Sequence, residues 1–196
     1  MQVQPAREEE IRIATEQGFA FWQATGTLYR AGGLLQQGKL HEALPLIVKG
    51  LSAYRATGAG LALPFYHGIL GDAYTQAGKV DEALKALNDG IAIADKNEDW
   101  FHYAELHRLQ GNLALARSPA DEAGAESFFQ RAREIARQQK SKLFELRATM
   151  SLSRLWQRQD RRDDARRELF LIYGSFTEGF STPDLVEAKA LLDELK

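Results

Sequence analysis

The stretch from Leu70 to Ile91, LGDAYTQAGKVDEALKALNDGI, decides the fold of this chain. Its Gly71 stands inside a first helical segment, where glycine costs about 1 kcal/mol relative to alanine unless a neighbouring helix approaches closely. Gly78 favours the left-handed conformation that ends a helix. Asp81 and Glu82 then open a second helix, because carboxylates are stabilised at the positive end of a helix dipole. The stretch therefore predicts two antiparallel helices in close contact.

The same pattern recurs along the chain and predicts an all-α protein. Four anchor alanines, at positions 43, 83, 125 and 165, follow one another at intervals of 40, 42 and 40 residues. No period-2 run of β-branched residues bounded by turns indicates a strand. We expect a single domain over 1–196, made of a half unit at 1–18, helix pairs at 19–57, 60–97, 99–139 and 140–179, and a capping helix at 182–196.

Two helix starts carry recognisable signals. Pro5 and the carboxylates of residues 8–10 predict an N-terminal helix that ends near Gln17. Ser118 and Pro119 predict an N-cap and a first helical position, since serine caps helices and proline is tolerated at their first residue.

The central stretch resembles the tetratricopeptide repeat (TPR), whose L-G-x-x-Y…A-x-x-x-F signature it matches with Leu87 in the place of phenylalanine. Gly71 and Ala83 stand twelve residues apart, as that repeat requires. The resemblance implies a right-handed α-α superhelix of TPR-like helix pairs with a C-terminal capping helix. The ordinary unit has 34 residues, so each helix here is expected to be about three residues longer.

From residue 104 the sequence is similar to the C-terminal helical repeats of large bacterial multidomain signalling proteins, cyclases or transcriptional regulators that carry an ATPase module. The segments AELHRLQGNLAL and AESFFQRAREIARQQKSKLFELRATMSLSRLW carry this resemblance, together with IYGSFTEGFSTPDLVEAKALLDEL. No phosphate-binding G-x-x-x-x-G-K-[ST] motif is present. The resemblance thus implies a sensor or partner-binding arm and not an enzyme.

Composition narrows the function further. The 196 residues carry a formal charge of −2, which argues against wholesale nucleic-acid binding, and the absence of cysteine excludes disulfides and thiolate chemistry. The longest uncharged run, residues 56–71, is too short and too rich in glycine to span a bilayer. The N-terminus has an acidic cluster where a signal peptide needs a basic start. These features favour a cytoplasmic protein.

The histidines do not indicate a metal site. His102 and His107 stand five residues apart, so they do not share a helical face as an i, i+4 ligand pair does. We expect the four histidines to be partly exposed polar residues at helix ends. No catalytic residue, cofactor or metal is predicted.

A basic stretch between Arg131 and Arg167 holds twelve basic and five acidic residues. It can be interpreted as a patch for an acidic partner or nucleic acid. The interpretation favoured by the pattern is a solvated helix face with i, i+4 ion pairs, such as Asp163 with Arg167.

The resemblance also implies a concave peptide-binding groove lined by the first helix of each pair. The groove positions predicted by register, and selected as partner-binding residues, are Phe65, Asp72, Arg108, Asn112, Arg147, Met150, Arg154 and Gln157. The same register places Thr25, Leu28, Gly32 and Leu35 in the groove of the first pair.

Four of these groove positions suggest a carboxylate site, because arginine forks form charge-assisted hydrogen bonds. They are Arg108, Asn112, Arg147 and Arg154. Alternatively, the longer repeat turns these side chains out of the groove and leaves them paired with Glu105 and Glu145.

The sequence thus predicts a non-catalytic module that binds a protein or peptide, with an acidic partner favoured by the arginines. The alternative is a helical domain that senses a small-molecule effector and controls an attached ATPase, cyclase or transcriptional output. Self-association through the exposed N-terminal half unit is a further expectation.

Overall fold

A computed structural model describes residues 3–118 and 120–196, with residues 3–8 and 10 described by their backbone alone. The described residues form helices joined by turns, and no strand occurs among them, which confirms the all-α prediction. The helices are α1 Val3–Glu16, α2 Ala20–Gln36, α3 Leu40–Ala56, α4 Leu63–Gln76, α5 Val80–Asn97, α6 Tyr103–Arg117, α7 Glu122–Gln138, α8 Lys142–Arg158, α9 Arg162–Tyr173 and α10 Pro183–Glu194.

The chain divides into two compact units, unit 1 ending at Asp99 and unit 2 beginning at Trp100. Unit 1 contains the pairs α2/α3 and α4/α5, with α1 packed on α2. Unit 2 contains the pairs α6/α7 and α8/α9, with α10 packed on both α8 and α9. The pairs coincide with the predicted ones to within a few residues at each end. That the two units form a single domain stays a prediction.

In the pairs α4/α5 and α6/α7, a glycine on the first helix lets a bulky side chain of the second helix pack against its backbone. A Cβ at Gly71 would lie 2.5 Å from Cδ2 of Leu87, and one at Gly111 would lie 2.4 Å from Cε1 of Phe129. Both bulky side chains are fully buried. Real Cβ atoms do not approach other carbons this closely, so a side chain at either position would force the facing one to move. The close approach predicted at Gly71 is confirmed.

The two remaining pairs also place a small residue where their two helices meet, but with other residues. In α2/α3 the roles are exchanged, since a Cβ at Gly50 of the second helix would lie 2.8 Å from Cγ of Leu28 on the first. In α8/α9 a buried serine takes the small position, and Ser153 Oγ donates a hydrogen bond of 3.2 Å to the carbonyl of Ala165. All four anchor alanines are fully buried.

Left-handed residues follow the first helices α2, α4 and α8. Gly38 and Gly78 have φ of +73° and +70°, and the residue after each donates its N–H to a carbonyl near the end of the helix. Asp160 occupies the equivalent position between α8 and α9 with φ +61°. A side chain in this conformation costs about 1–2 kcal/mol, which glycine avoids.

One predicted helix start is wrong. Helix α7 begins at Glu122 with Asp121 as its N-cap, and the Asp121 carboxylate accepts a hydrogen bond of 3.2 Å from the N–H of Gly124. Ser118 follows the end of α6, and Pro119 lies outside the described residues. Two residues of the predicted acidic first turn of α1, at positions 8 and 10, also lie outside the described side chains.

Helix α10 completes the core of unit 2. Its Leu185, Leu191 and Leu192 are buried in the same hydrophobic cluster as Trp156 of α8 and Leu169 of α9. On its other side, Lys189 forms an exposed ion pair with Asp193. One apolar and one charged side are what a terminal helix needs to close a repeat array. The predicted capping helix is confirmed.

His67 corrects the expectation that the histidines are partly exposed at helix ends. It lies inside α4 and is buried. Its Nδ1 is 3.0 Å from the carbonyl of Ala86 on α5, and its Nε2 is 2.6 Å from a guanidinium nitrogen of Arg55 on α3. Because a carbonyl and a guanidinium require Nδ1 to donate and Nε2 to accept, the imidazole is neutral. Burial lowers the pKa of His67, and the charge of Arg55 adds to this effect.

Within the described ranges, no helix is both long and apolar enough to cross a lipid bilayer.

Candidate binding surfaces

Unit 2 carries a network of charged side chains on its first helices α6 and α8 and on the capping helix α10. We call it the arginine network: Glu105 and Arg108 of α6, Arg147 of α8 and Asp184 of α10. Nε and Nη2 of Arg108 donate to the two carboxylate oxygens of Glu105 at 2.9 and 2.7 Å. Nε and Nη2 of Arg147 donate in the same way to Asp184 at 2.6 and 2.9 Å. Arg147 also lies 3.9 Å from Glu105, which links the two bidentate pairs.

The network is partly buried, and its charges stabilise one another. Burial opposes ionisation of Glu105, but the charge and hydrogen bonds of Arg108, with the charge of Arg147, outweigh it and lower the pKa of Glu105. The hydrogen bonds to Asp184 raise the pKa of Arg147. Both shifts favour the charged forms of Glu105 and Arg147.

The next predicted arginine, Arg154, pairs with a second carboxylate of α10. Its Nη2 donates to Glu187 at 2.6 Å, and both side chains are largely exposed. The predicted alternative is therefore correct for Arg108, which binds Glu105. It is wrong for Glu145, because this carboxylate accepts a hydrogen bond from Arg137 at 2.6 Å.

The remaining predicted residues of unit 2 differ in exposure. Asn112 and Gln157 are partly buried on α6 and α8. Met150 is 3 % exposed and lies in the hydrophobic core of unit 2, so its predicted place on an open groove is wrong. The structure thus brings Arg108 and Arg147 together through Glu105, and α10 supplies carboxylates to Arg147 and Arg154.

Unit 1 carries an uncharged surface of aromatic side chains, which we call the aromatic surface: Trp22 and Tyr29 of α2 and Phe65 of α4. The exposed fractions of Trp22 and Tyr29 are 53 % and 44 %. These residues stand seven apart and so share one face of α2. The ring of Tyr29 lies 6.4 Å from that of Phe65, which joins the two helices.

The aromatic surface has an open position and a polar residue along it. Gly33 follows Tyr29 by one helical turn, and a Cβ built there would meet no atom within 4 Å. On α4, Asp72 follows Phe65 by two turns, is partly buried, and accepts a hydrogen bond of 3.0 Å from Gln76. The predicted residues Phe65 and Asp72 therefore share a helix face.

Sequence reasoning missed Trp22 and Tyr29 as surface residues because the register chosen for α2 is wrong. Three of the four groove positions predicted there, Thr25, Leu28 and Leu35, are buried. The i, i+7 spacing of the two aromatic residues is the signal that could have identified them.

Most basic side chains of the stretch are neutralised by carboxylates, but the described residues use partners three positions away or on other helices and not the expected i, i+4 pairs. Seven of its twelve basic side chains lie within 4.0 Å of a carboxylate in the described part of the chain, namely Arg131, Arg133, Arg137, Arg147, Arg154, Arg161 and Arg167. The pair proposed for Asp163 does not form, because Arg167 binds Asp164 at 3.0 Å.

No group of three or more histidine, aspartate or glutamate side chains is arranged to hold a metal ion in the described residues.

Comparisons with known proteins place the fold. No protein-family model matches the sequence, and no curated protein matches it significantly. Among solved structures, the chain is similar to BtubC (BKLC) from P. vanneervenii, with a TM-score of 0.67 and 17 % identity over 98 % of this chain and 79 % of that one. It is also similar to the TPR-like repeats of a putative kinesin light chain from Podosopora anserina, with a TM-score of 0.57 and 18 % identity over 88 % and 85 % of the two chains. The fold is therefore TPR-like, as predicted.

Proposed function

We propose that this chain is a repeat module that binds a protein or peptide, and that the aromatic surface of unit 1 is its main contact. The observation that carries the proposal is the exposure of Trp22 and Tyr29 on a first helix, beside Phe65 on the next. Large aromatic side chains supply most of the binding energy in protein interfaces, because they bury a wide area at a small cost in side-chain entropy.

The geometry of the aromatic surface suits a peptide. Trp22 and Tyr29 stand two helical turns apart, about 11 Å, which leaves room for a ligand side chain between them. The open space at Gly33 lets a ligand backbone approach α2 closely. Asp72 on the parallel stripe of α4 offers a carboxylate to a ligand N–H or cationic group.

The predicted residues Arg108, Asn112, Arg147, Arg154 and Gln157 are proposed as a second contact, for an acidic part of the partner. Such a partner must replace carboxylates that the chain already supplies from α6 and α10. Arg154 is the easier of these arginines to reach, because its ion pair is exposed and contributes at most about 1 kcal/mol. We therefore expect the contribution of this contact to be small and sensitive to salt.

The wider role follows from the sequence resemblance. We infer that the module has no turnover of its own and is the regulatory arm of a larger bacterial signalling protein in the cytoplasm. The TPR-like fold supports the protein-binding part of this proposal, since such folds present repeated helix faces to partners.

A peptide selection tests the proposal. A random peptide library displayed on phage is selected against the whole chain, and each recovered peptide is titrated against Trp22→Ala/Tyr29→Ala by fluorescence anisotropy. Trp100→Ala is the matched control, because Trp100 is equally exposed but lies outside the aromatic surface. We expect the double variant to weaken binding at least about tenfold and the control to leave it unchanged.

The proposal is contradicted if no peptide is recovered, or if every recovered peptide binds Trp22→Ala/Tyr29→Ala as tightly as the unchanged chain. Arg154→Ala, titrated at low and high salt, separates the second contact from the first. A peptide whose binding loses its salt dependence in this variant uses the second contact.

A further inference from the structure

Two exposed arginines of α9 have no acidic partner among the described residues. Arg162 and Arg166 stand one helical turn apart, and no carboxylate of the described residues lies within 4.0 Å of either side chain. Their neighbour Arg167, in contrast, binds both Asp164 and Glu168. The favoured interpretation of the basic stretch, a face neutralised by its own ion pairs, therefore does not apply to Arg162 and Arg166.

The same helix exposes large apolar side chains beside these arginines. Phe170 and Leu171 are 65 % and 63 % exposed. Beyond the end of α9, Phe180 is 48 % exposed, and its ring lies 5.8 Å from that of the partly buried Tyr173. Several large apolar side chains exposed near one helix end mark an interaction site more often than an isolated exposed leucine does.

The arginines and the phenylalanine form one stripe. Arg162, Arg166 and Phe170 follow at four-residue intervals, so consecutive members lie about 5–6 Å apart along the helix. Ala165 and Leu169 of the same helix are buried in the core of unit 2, whereas all three members of the stripe are exposed. The stripe is consequently open to solvent along the edge of the buried side of α9.

The chemistry of the stripe identifies its partner. Each arginine fork can bind a carboxylate through two hydrogen bonds, and the exposed ring of Phe170 can cover an apolar side chain. We propose that this stripe of α9 docks an acidic amphipathic segment of another protein. Two carboxylates one helical turn apart would contact Arg162 and Arg166, and an apolar residue on the next turn would cover Phe170.

The charge of α9 favours a protein over a membrane. Its three arginines are balanced by the carboxylates of Asp163, Asp164 and Glu168. Attraction to an anionic lipid surface depends on net positive charge, whereas paired carboxylates on a peptide need only the two free arginines. The α9 face lies on the second helix of its pair, so this proposal is independent of the aromatic surface.

A synthetic helical peptide of about 16 residues tests the proposal, a length at which helices begin to form in water. One face carries two glutamates one turn apart and a leucine on the next turn, and a control peptide has glutamine in place of both glutamates. Binding to the whole chain is measured by anisotropy, and the contacted residues are located by backbone amide shifts in NMR spectra.

Variants assign the contact. We expect the variants Arg162→Gln/Arg166→Gln and Phe170→Ser each to weaken binding of the acidic peptide at least about tenfold. Arg131→Gln and Val48→Ser should leave binding unchanged, since they remove an exposed arginine and an exposed apolar side chain from other second helices. Because all these side chains are exposed, folding is checked by circular dichroism and should not change.

Three results would overturn the proposal. The first is no shift of α9 amides at peptide concentrations up to about 1 mM. The second is equal affinity for the glutamate and glutamine peptides. The third is that a different occupant takes the face, either phosphatidylserine vesicles that bind more tightly than the peptide or a second copy of the chain, shown by a dimer that Phe170→Ser dissociates.

Discussion

Replacing Gly71 tests the contact that organises each helix pair. In Gly71→Ala the new Cβ would lie 2.5 Å from Cδ2 and 2.6 Å from Cγ of Leu87. Non-bonded carbons are most stable at about 3.5–4.0 Å, so the methyl group comes about 1 Å too close. Leu87 is fully buried and cannot swing into solvent to relieve the overlap.

The expected magnitude follows from two opposing effects. Added bulk in a packed core costs about 1–3 kcal/mol, whereas alanine gains about 1 kcal/mol over glycine inside a helix. Gly71→Ala should therefore lower the free energy of unfolding by up to about 2 kcal/mol. Gly71→Leu places three more carbon atoms in the same filled space and should cost about 3 kcal/mol or more.

Gly33→Ala is the matched control. Gly33 also lies inside a first helix, but a Cβ there would meet no atom within 4 Å. With the helix gain alone, this variant should be more stable by about 0.5–1 kcal/mol. Urea unfolding followed by circular dichroism measures the free energy of unfolding of all three variants. In thermal unfolding, a change of 1 kcal/mol in a chain of this size corresponds to about 2–4 °C in the melting temperature.

The overlap with Leu87 is refuted if Gly71→Ala raises the free energy of unfolding as much as Gly33→Ala does. A second check is the cycle with Leu87→Ala. Because the smaller side chain removes the overlap, Gly71→Ala should be less destabilising in that background than in the unchanged chain.

Four other predictions follow from the structure. The pKa of His67 is lowered on folding, so below pH about 6.5 the unfolded state takes up a proton that the folded state does not. The free energy of unfolding should therefore fall as the pH falls from 7 to 5. Urea titrations at these two pH values should show a smaller fall for His67→Leu. Asp160→Gly should raise stability by about 0.5–1 kcal/mol in thermal unfolding, because glycine adopts φ +61° without strain. Arg147→Ala should cost about 1.5–3 kcal/mol, since it leaves the partly buried carboxylate of Asp184 without its bidentate partner, while Arg154→Ala should cost less than about 1 kcal/mol. Deleting residues 182–196 should expose the core of unit 2 and cause aggregation in sedimentation runs; a monomeric variant of equal stability would contradict the capping role.

The helix pairs could be predicted from the sequence because their signals are local. The glycine at position 71, the turn at Gly78 and the alanine at position 83 all fall within one stretch, and each has a backbone or packing reason to be small or flexible. The recurrence of the pattern every 40–42 residues then located the other pairs. The TPR-like fold followed from the same residues.

The exposed faces were harder to predict because they depend on contacts between distant residues. Leu28 and Met150 fall on the expected groove register, yet both are buried by helices elsewhere in their units. Arg147 was expected to offer a free guanidinium, but Asp184, which is 37 residues away, binds it. A one-residue change of register rotates a helical side chain by about 100°, and repeats longer than the usual unit leave that register open.

The most direct test of the proposed function is the indole N–H region of an NMR spectrum, recorded during titration with a selected peptide. The chain has three tryptophans, and the Nε1–H of the buried Trp156 already donates to Glu126 at 2.8 Å. Binding at the aromatic surface should shift the Trp22 signal and leave the Trp156 signal in place. If the Trp22 signal is unchanged when the peptide saturates the chain, the aromatic surface is not the binding site.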